Sequence, residues 1–416
     1  MRTYDVVVVG GRVAGASTAL LLARAGLRVA LLDRGRYGSD TLSTHGLMRA
    51  GVLRLSRWGV LPAVVAAGTP PVRRTVFHYT DAQPVQVTIR PGPGVPALFA
   101  PRRHLLDRLL VDAAAEAGVE VRHETTVTAL LHDGEGAVRG VVARGPRGRE
   151  SEYGAAITVG ADGIRSLVAQ TQGAVAVRSA RNASAVLYRY HTDLPVAGYE
   201  WYYAPAGEGG AGAATGLLPT NDGQTAVFVS TTPVRMRRLR RAGAEAAFAS
   251  LLAETAPDRA GEVTAAAPAS RMHGFGGVGG FMRQSYGPGW ALIGDAGYFK
   301  DPITAHGMTD ALRDAELLAD AVLEALGGGV APAVALGRYQ AFRDRLSRRL
   351  FEVTDAIAGF DWDTVGVQGL LRELSSAMSD EVDHLLARMD RGPGGSPGSS
   401  CLTPRVPASS LGGFER

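Results

Sequence analysis

Residues 4–9 (YDVVVV) form a short, mostly apolar run ending in glycines, the pattern of a buried strand of a parallel sheet. From Ala14 to Ala25 the apolar positions shift to helical spacing, and Gly26 is placed to close the helix. Residues 28–32 (RVALL) give a second strand ending at Asp33, so the chain opens with a β-α-β unit. Helical spacing returns over Leu47–Ala67 and Arg103–Ala117, the latter feeding a strand, VEVRHETTVTALL. Residues 75–100 and about 179–268 alternate instead (TVFHY, PVQVTIR, AVLYRY, YEWYY, AVFVST) between Gly, Pro and Asn turns. That is the signature of an antiparallel sheet with one face free to cover a ligand. WALIG at 290–294 returns to the buried-strand pattern, a helix is expected over Met308–Leu326, and residues 333–389 are helical.

The pattern divides the chain into an interrupted nucleotide-binding unit (1–75, 99–178 and 269–330), cap strands (76–98), a β-sheet substrate domain (179–268), a helical region (331–390) and a flexible tail (391–416). Length and an apolar fraction of 46% are enough for a large core. No run of 18 uncharged apolar residues reads as a membrane span, and Asp5, Arg12 and the glycines interrupt any signal-like segment at the start. The single cysteine, Cys401, fits a reducing, cytoplasmic setting and leaves no thiolate set for zinc or iron–sulfur; no metal site is expected. A net charge of +4 with scattered arginine, and no basic block with interleaved aromatics, argues against nucleic acid. The cluster Arg235–Arg241 reads as a solvated helix face. Lys300 is the only lysine among 44 basic residues.

Three blocks carry chemistry. In Gly10-Gly11-Arg12-Val13-Ala14-Gly15, the outer glycines permit a tight turn and close helix–strand packing. The helix behind them offers N–H groups and a positive dipole end to a pyrophosphate. Asp33, at the next strand end, is placed to accept from ribose hydroxyls. Arg12 stands where a middle glycine normally lets the backbone approach phosphate, so either the phosphate sits further off or the guanidinium contributes. The second block, Gly160-Ala161-Asp162-Gly163, follows an apolar strand and by itself is equally an ordinary turn. In the third, Gly294-Asp295 presents a carboxylate to a ribityl-type hydroxyl. Pro302 and Ala305-His306-Gly307-Met308 then lead into a helix whose first N–H groups suit an anionic ring edge.

In this order and at these separations the blocks, with Arg103-x-x-Leu106-Asp107, resemble the FAD-dependent monooxygenases of the para-hydroxybenzoate hydroxylase type, related to flavin halogenases and geranylgeranyl reductases. The resemblance covers roughly residues 3–330. It implies an α/β fold, with a Rossmann-like, discontinuous FAD-binding domain of the glutathione-reductase type, a β-rich substrate-binding cap and C-terminal helices. It implies that Gly10, Gly11, Arg12, Val13, Ala14 and Gly15 bind the pyrophosphate. Asp33, with Arg34 beside it, would take the adenine ribose, Arg103 the dinucleotide, and Val127 the adenine. Gly294 and Asp295 would hold the ribityl chain, while Pro302, Gly307 and Met308 meet the flavin. Asp162 would support FAD and a transient NADH or NADPH, and Arg49 would touch the cofactor near the flavin. The chain departs from the family at Ala305-His306-Gly307-Met308-Thr309, where Gly-Gln-Gly-Met-Asn is usual, and at Ala169, where an arginine is common.

The activity so implied is hydroxylation or epoxidation of a small aromatic or polycyclic, secondary-metabolite-like substrate with NAD(P)H and O2, through a flavin C4a-hydroperoxide. A reductase of isoprenoid double bonds is the alternative. A halogenase is a further one, although the Trp-x-Trp-x-x-Pro signature is missing. A monomer or homodimer free of integral membrane contact is expected. His45 is either a proton relay at the flavin or a histidine satisfied by Ser or Thr at a helix start. Lys300 and His306 either act at the flavin, or Lys300 pairs with Asp301 or Asp295 in an ion pair. Trp201, Tyr203 and Phe228 either line the substrate pocket or fill the core.

Overall fold

The strand Arg2–Val9 runs through the middle of an eight-stranded sheet, where the computed structural model, which describes residues 2–207 and 210–389, pairs it in parallel on both sides. Its neighbours are Val29–Leu32 and Glu150–Gly160. Beyond these lie Glu120–Arg122 on one flank and Trp290–Leu292 on the other, all parallel. Alternate valines explain the apolar run. Val6 and Val8 face one core, with helices, while Val7 and Val9 face another, with the hairpin Thr126–His132/Val138–Arg144.

Register places Val9 opposite both Leu32 and Gly160, and Gly160 opposite Leu292. The C-terminal ends of the strands therefore stop level with one another, and the three glycine- and aspartate-bearing turns emerge on one side. In open parallel sheets that edge is where ligands bind. Two helices, Val13–Arg24 and Gly307–Leu326, pack against each other behind this edge. Gly15, Ala16, Ser17 and Ala19 give the first helix a small-residue face that lets its neighbours approach closely.

A seven-stranded sheet forms the second layer, in the order His273–Phe275, Ala185–His191, Thr225–Thr231, Ala213–Pro219, Tyr199–Ala204, Arg74–Tyr79, Ala82–Thr88. Its inner face buries Tyr188, Tyr190, Tyr199, Trp201, Tyr203 and Phe228 against Ile303, Ala305 and the C-terminal helices. Its outer face buries Leu187, Leu217, Val227 and Val229 against Phe248, Leu251 and Val263. Each large apolar side chain so covered contributes about 2 kcal/mol of transfer free energy.

The mixed α/β architecture matches the expectation, with differences of detail. The second sheet is not wholly antiparallel, because Tyr199–Ala204 runs parallel to Arg74–Tyr79. Three helices, Pro233–Leu239, Ala244–Thr255 and Pro257–Ala265, lie inside the stretch read as β-rich. The expected helix over 47–67 breaks at Gly59 (φ +73°) into Arg49–Arg57 and Leu61–Ala66. The expected strand after Gly118 breaks at Glu124 (φ +51°), so Glu120–Arg122 joins the parallel core and Thr126–His132 the hairpin. The last helical region is two helices, Pro332–Ile357 and Thr364–Met389. Among the described residues no helix is long and apolar enough to cross a membrane. The tail expected at 391–416, with Cys401, lies outside the described residues.

Candidate active site

The first turn is built to bring backbone close to a ligand. Gly10 adopts φ +104°, and a Cβ there would collide with the Ala161 carbonyl; a Cβ on Gly15 would collide with the Gly10 carbonyl. Only glycine closes this strand–turn–helix corner. Asp33 is buried, and its two oxygens accept from the Gly11 and Gly35 N–H groups, each at 2.5 Å. Each oxygen keeps a lone pair for a ribose hydroxyl. A hollow of about 10 Å³, room for about one water, lies between Gly11, Arg12, Asp33, Tyr37, Ser39 and Asp107.

Arg12 settles into an arrangement the sequence left open. Its guanidinium donates to the Ser39 carbonyl at 2.5 Å and to Asp107 Oδ2 at 3.0 Å. Asp107 also accepts from Arg103 Nε at 3.2 Å, one helical turn away. One carboxylate thus holds two arginines at the mouth of the groove. Asp107 appeared in the sequence only as part of a motif; its bridging role depends on Arg12, 95 residues away.

The second and third turns meet through a residue the sequence did not single out. Arg283 donates to the Ala296 carbonyl at 3.1 Å and the Ile164 carbonyl at 3.4 Å, tying the two loops together. Asp162 accepts from Leu167 N–H at 2.6 Å through one oxygen, while the other, Oδ1, is buried without a partner. Burial pushes its carboxyl pKa up. Asp295 is exposed at the strand end, and desolvation by the surrounding protein raises its pKa to about 6 against the pull of Arg103 and Lys300. Gly307 is exposed at the start of its helix with open space where a Cβ would stand, whereas Gly294 is buried and Met308 packs into the core. Pro302 opens a short turn capped by Asp301, whose side chain accepts from Ile303 N–H at 3.0 Å.

The other expected contacts divide. Val13 and Ala14 begin the first helix, and Val127 is buried on its hairpin strand. Arg34 is exposed at its strand end, and the Arg49 guanidinium donates to the Arg90 carbonyl. Trp201, Tyr203 and Phe228, at 8%, 5% and 5% exposure, interlock as core: Trp201 lies edge-on to Phe228, and Tyr203 meets Trp362. The packing supports the core reading of these three.

His45 is fully buried, and neither Ser nor Thr satisfies its ring. Its Nε2 lies 2.5 Å from the Tyr190 hydroxyl. Burial pushes its pKa down to about 3, so the ring is neutral. Tyr188 packs edge-on to Tyr190, and Arg102 lies 3.6 Å over the Tyr190 ring while pairing with Asp40 at 2.9 Å. This cluster touches the third turn: Gly46 packs directly against Ala305, and Met48 N–H donates to Thr309 Oγ1 at 3.1 Å.

Lys300 and His306 are both buried. The Lys300 ammonium pairs with Asp310, not with Asp301 or Asp295. His306 Nδ1 lies 3.1 Å from the same carboxylate, and Arg313 reaches it at 3.0 Å. Ligand atoms of His306, Asp310 and Glu381 lie within 4.8 Å of one another, close enough to hold a metal ion. Ammonium and guanidinium groups of Lys300, Arg313 and Arg54 already stand where such a cation would bind.

The glycine corner, the accessible Asp295, the open start at Gly307 and the orphaned Asp162 oxygen together suit an extended dinucleotide with a flavin at one end. A model of an FAD binding domain matches residues 3–354. The chain belongs to the FAD binding domain family. It is an FAD-dependent oxidoreductase, and FAD is its cofactor. It is 26% identical to the digeranylgeranylglycerophospholipid reductase of Methanocella arvoryzae, over 89% of this chain and 95% of that one. It is 34% identical to the 6-methylpretetramide 4-monooxygenase of Streptomyces rimosus, over 41% of this chain and 40% of that one. Among solved structures it is similar to PqsL of Pseudomonas aeruginosa in complex with 2-aminobenzoylacetate, with a TM-score of 0.75 and 23% identity, covering 89% of this chain and 100% of the other. That last likeness shows a shared fold.

Proposed function

We propose that the chain is an FAD-dependent monooxygenase that takes electrons from NADH or NADPH and uses O2 to hydroxylate or epoxidise a compact aromatic or polycyclic substrate. The observation that carries this reading is the polar aromatic cluster of His45, Tyr188 and Tyr190 set against the third turn. Hydroxyls, a neutral imidazole and the Arg102 guanidinium at one edge of an aromatic sheet face suit a ring bearing oxygen substituents.

Bound FAD supplies the redox and oxygen chemistry. The chain's own residues do the holding. Gly10–Gly15 and the Val13 helix start receive the pyrophosphate, and Asp33 the adenine ribose. Asp295 takes the ribityl hydroxyls, and the N–H groups at Gly307 and Met308 meet the pyrimidine edge, where the helix dipole favours negative charge. Asp162, with its free oxygen, faces cofactor and incoming nicotinamide. His45, kept neutral by burial, holds or passes a proton at Nε2 through the Tyr190 hydroxyl.

A second reading, reduction of isoprenoid double bonds, is favoured by the near end-to-end match to the archaeal lipid reductase. Turnover of the FAD-loaded enzyme with NADH or NADPH decides between them. Polycyclic phenols that gain an oxygen atom, with matching O2 consumption, support the first. Polyprenyl lipids that gain two hydrogens per double bond, without O2 uptake, replace it with the second.

A further inference from the structure

Two buried residues other than glycine take left-handed backbone in loops that touch: His45 at φ +58° and Ala305 at φ +50°. A Cβ crowds its own backbone there, so such residues persist only where their surroundings over-determine them. Gly46 N–H donates back to the Thr44 carbonyl at 2.8 Å, closing a three-residue turn about His45. Ala305 N–H returns to the Pro302 carbonyl at 2.9 Å. Between the two turns stands Gly46, whose own backbone is not left-handed. A Cβ on Gly46 would lie 2.8 Å from the Ala305 carbonyl oxygen and 2.9 Å from the Ala305 methyl, closer than packed atoms approach. The neighbouring loop, not its own conformation, therefore demands glycine here. The contact continues along the chain: Met48 N–H donates to Thr309 Oγ1 at 3.1 Å, and a Cβ on Gly51 would lie 2.9 Å from that hydroxyl.

We propose that Gly46 is a positioning residue for FAD: it lets the His45 turn close onto Ala305, and that contact sets the 302–305 turn so that the Gly307 and Met308 N–H groups meet the flavin. The proposal rests on the cofactor placement above. Both sides of the contact are anchored. Leu47 N–H donates to the Phe99 carbonyl at 2.9 Å and the His45 ring meets the Tyr190 hydroxyl, which holds the first turn in place. Asp301, which accepts from Ser184 and from Ile303 N–H, holds the start of the second. Gly307 follows Ala305 by two residues, so a displacement of that turn passes directly to the helix start. Ala305 stands where glycine is usual in the family, so the methyl that meets Gly46 is a feature of this chain.

The test follows FAD release on dilution of the holoenzyme, by its fluorescence, together with the visible absorption of the bound flavin. Gly46→Ala should release FAD about tenfold more readily and shift the bound flavin's absorption toward that of free FAD. Adding Ala305→Gly removes the methyl and frees the turn, and the double variant should return to within about threefold of wild type. Gly212→Ala, whose Cβ would meet the Ala204 carbonyl at the same 2.8 Å, should lose stability yet leave release and absorption as in wild type. Should Gly46→Ala fail to fold, hydrogen exchange of the wild-type protein before and after FAD loading decides: FAD should slow exchange over 44–48 and 303–308 together. Overturning results are wild-type release and absorption in Gly46→Ala, a double variant no better than the single, the same FAD loss in Gly212→Ala, or protection confined to 303–308. FAD that binds without slowing exchange over 303–308 would overturn the flavin placement first, and this inference with it.

Discussion

Lys300, the only lysine of the chain, pairs with Asp310 across the five-residue loop that leads to the flavin-facing helix. Both partners are almost fully buried. Removing one member of such a pair leaves the other charge buried with fewer partners, which typically costs about 3–5 kcal/mol. Asp310 keeps Arg313 and His306, so Lys300→Met should fall at the low end, about 3 kcal/mol, in denaturant unfolding. A change under about 0.5 kcal/mol would show that the pair does not hold the loop.

The parallel core was legible in the sequence because its strands are buried on both faces and read as mostly apolar runs. The turns at Gly10, Asp162 and Asp295 were legible because each follows such a run. What stayed hidden depends on distant partners. Nothing local marks Asp310, Arg313 or Glu381 as neighbours of Lys300; to local patterning they are polar positions on helices, and only the packing of three helices turns them inward. Tyr188 and Tyr190 escaped notice for the same reason. Their strand alternates as any half-buried strand does, and His45 meets Tyr190 from 145 residues away. Arg283 sits in a short strand whose pattern gives no sign that its guanidinium joins two loops.

Arg12 offers a test against consensus. Glycine at this position would restore the usual fingerprint, but here Arg12 fixes Ser39 and shares Asp107 with Arg103. Arg12→Gly should therefore weaken FAD binding about tenfold, the low end of what one charge-assisted hydrogen bond contributes. Tighter binding in an FAD titration would mean that the phosphate needs the backbone more than the groove needs its arginine.

Asp301 couples the flavin loop to the second sheet, accepting from Ser184 N–H at 2.6 Å and Ser184 Oγ at 2.5 Å. Burial raises its pKa to about 6, above the unfolded value, so its contribution to stability is fully present below about pH 4 and fades as pH rises through 6. Asp301→Asn lacks this titration. Relative to that variant, wild type should lose about 2 kcal/mol of unfolding free energy between about pH 4 and about pH 6.5. A difference that is flat across this window would show that the carboxyl keeps its ordinary pKa.

His45 and Tyr190 share a short, fully buried hydrogen bond beside the third turn. Tyr190→Phe removes the hydroxyl and leaves Nε2 unsatisfied, which should cost about 1–3 kcal/mol of stability. His45→Ala should cost more, through the space it opens. The double variant should cost less than the sum, with a coupling of about 1–2 kcal/mol in a double-mutant cycle. With its pKa near 3, the imidazole stays neutral from pH 5 to pH 8, so it should place no limb on the pH dependence of kcat/KM in that range. An acid limb near neutrality that is present in wild type and lost in Tyr190→Phe would show that His45 does titrate during turnover, and would make it a general base rather than a neutral partner for the Tyr190 hydroxyl.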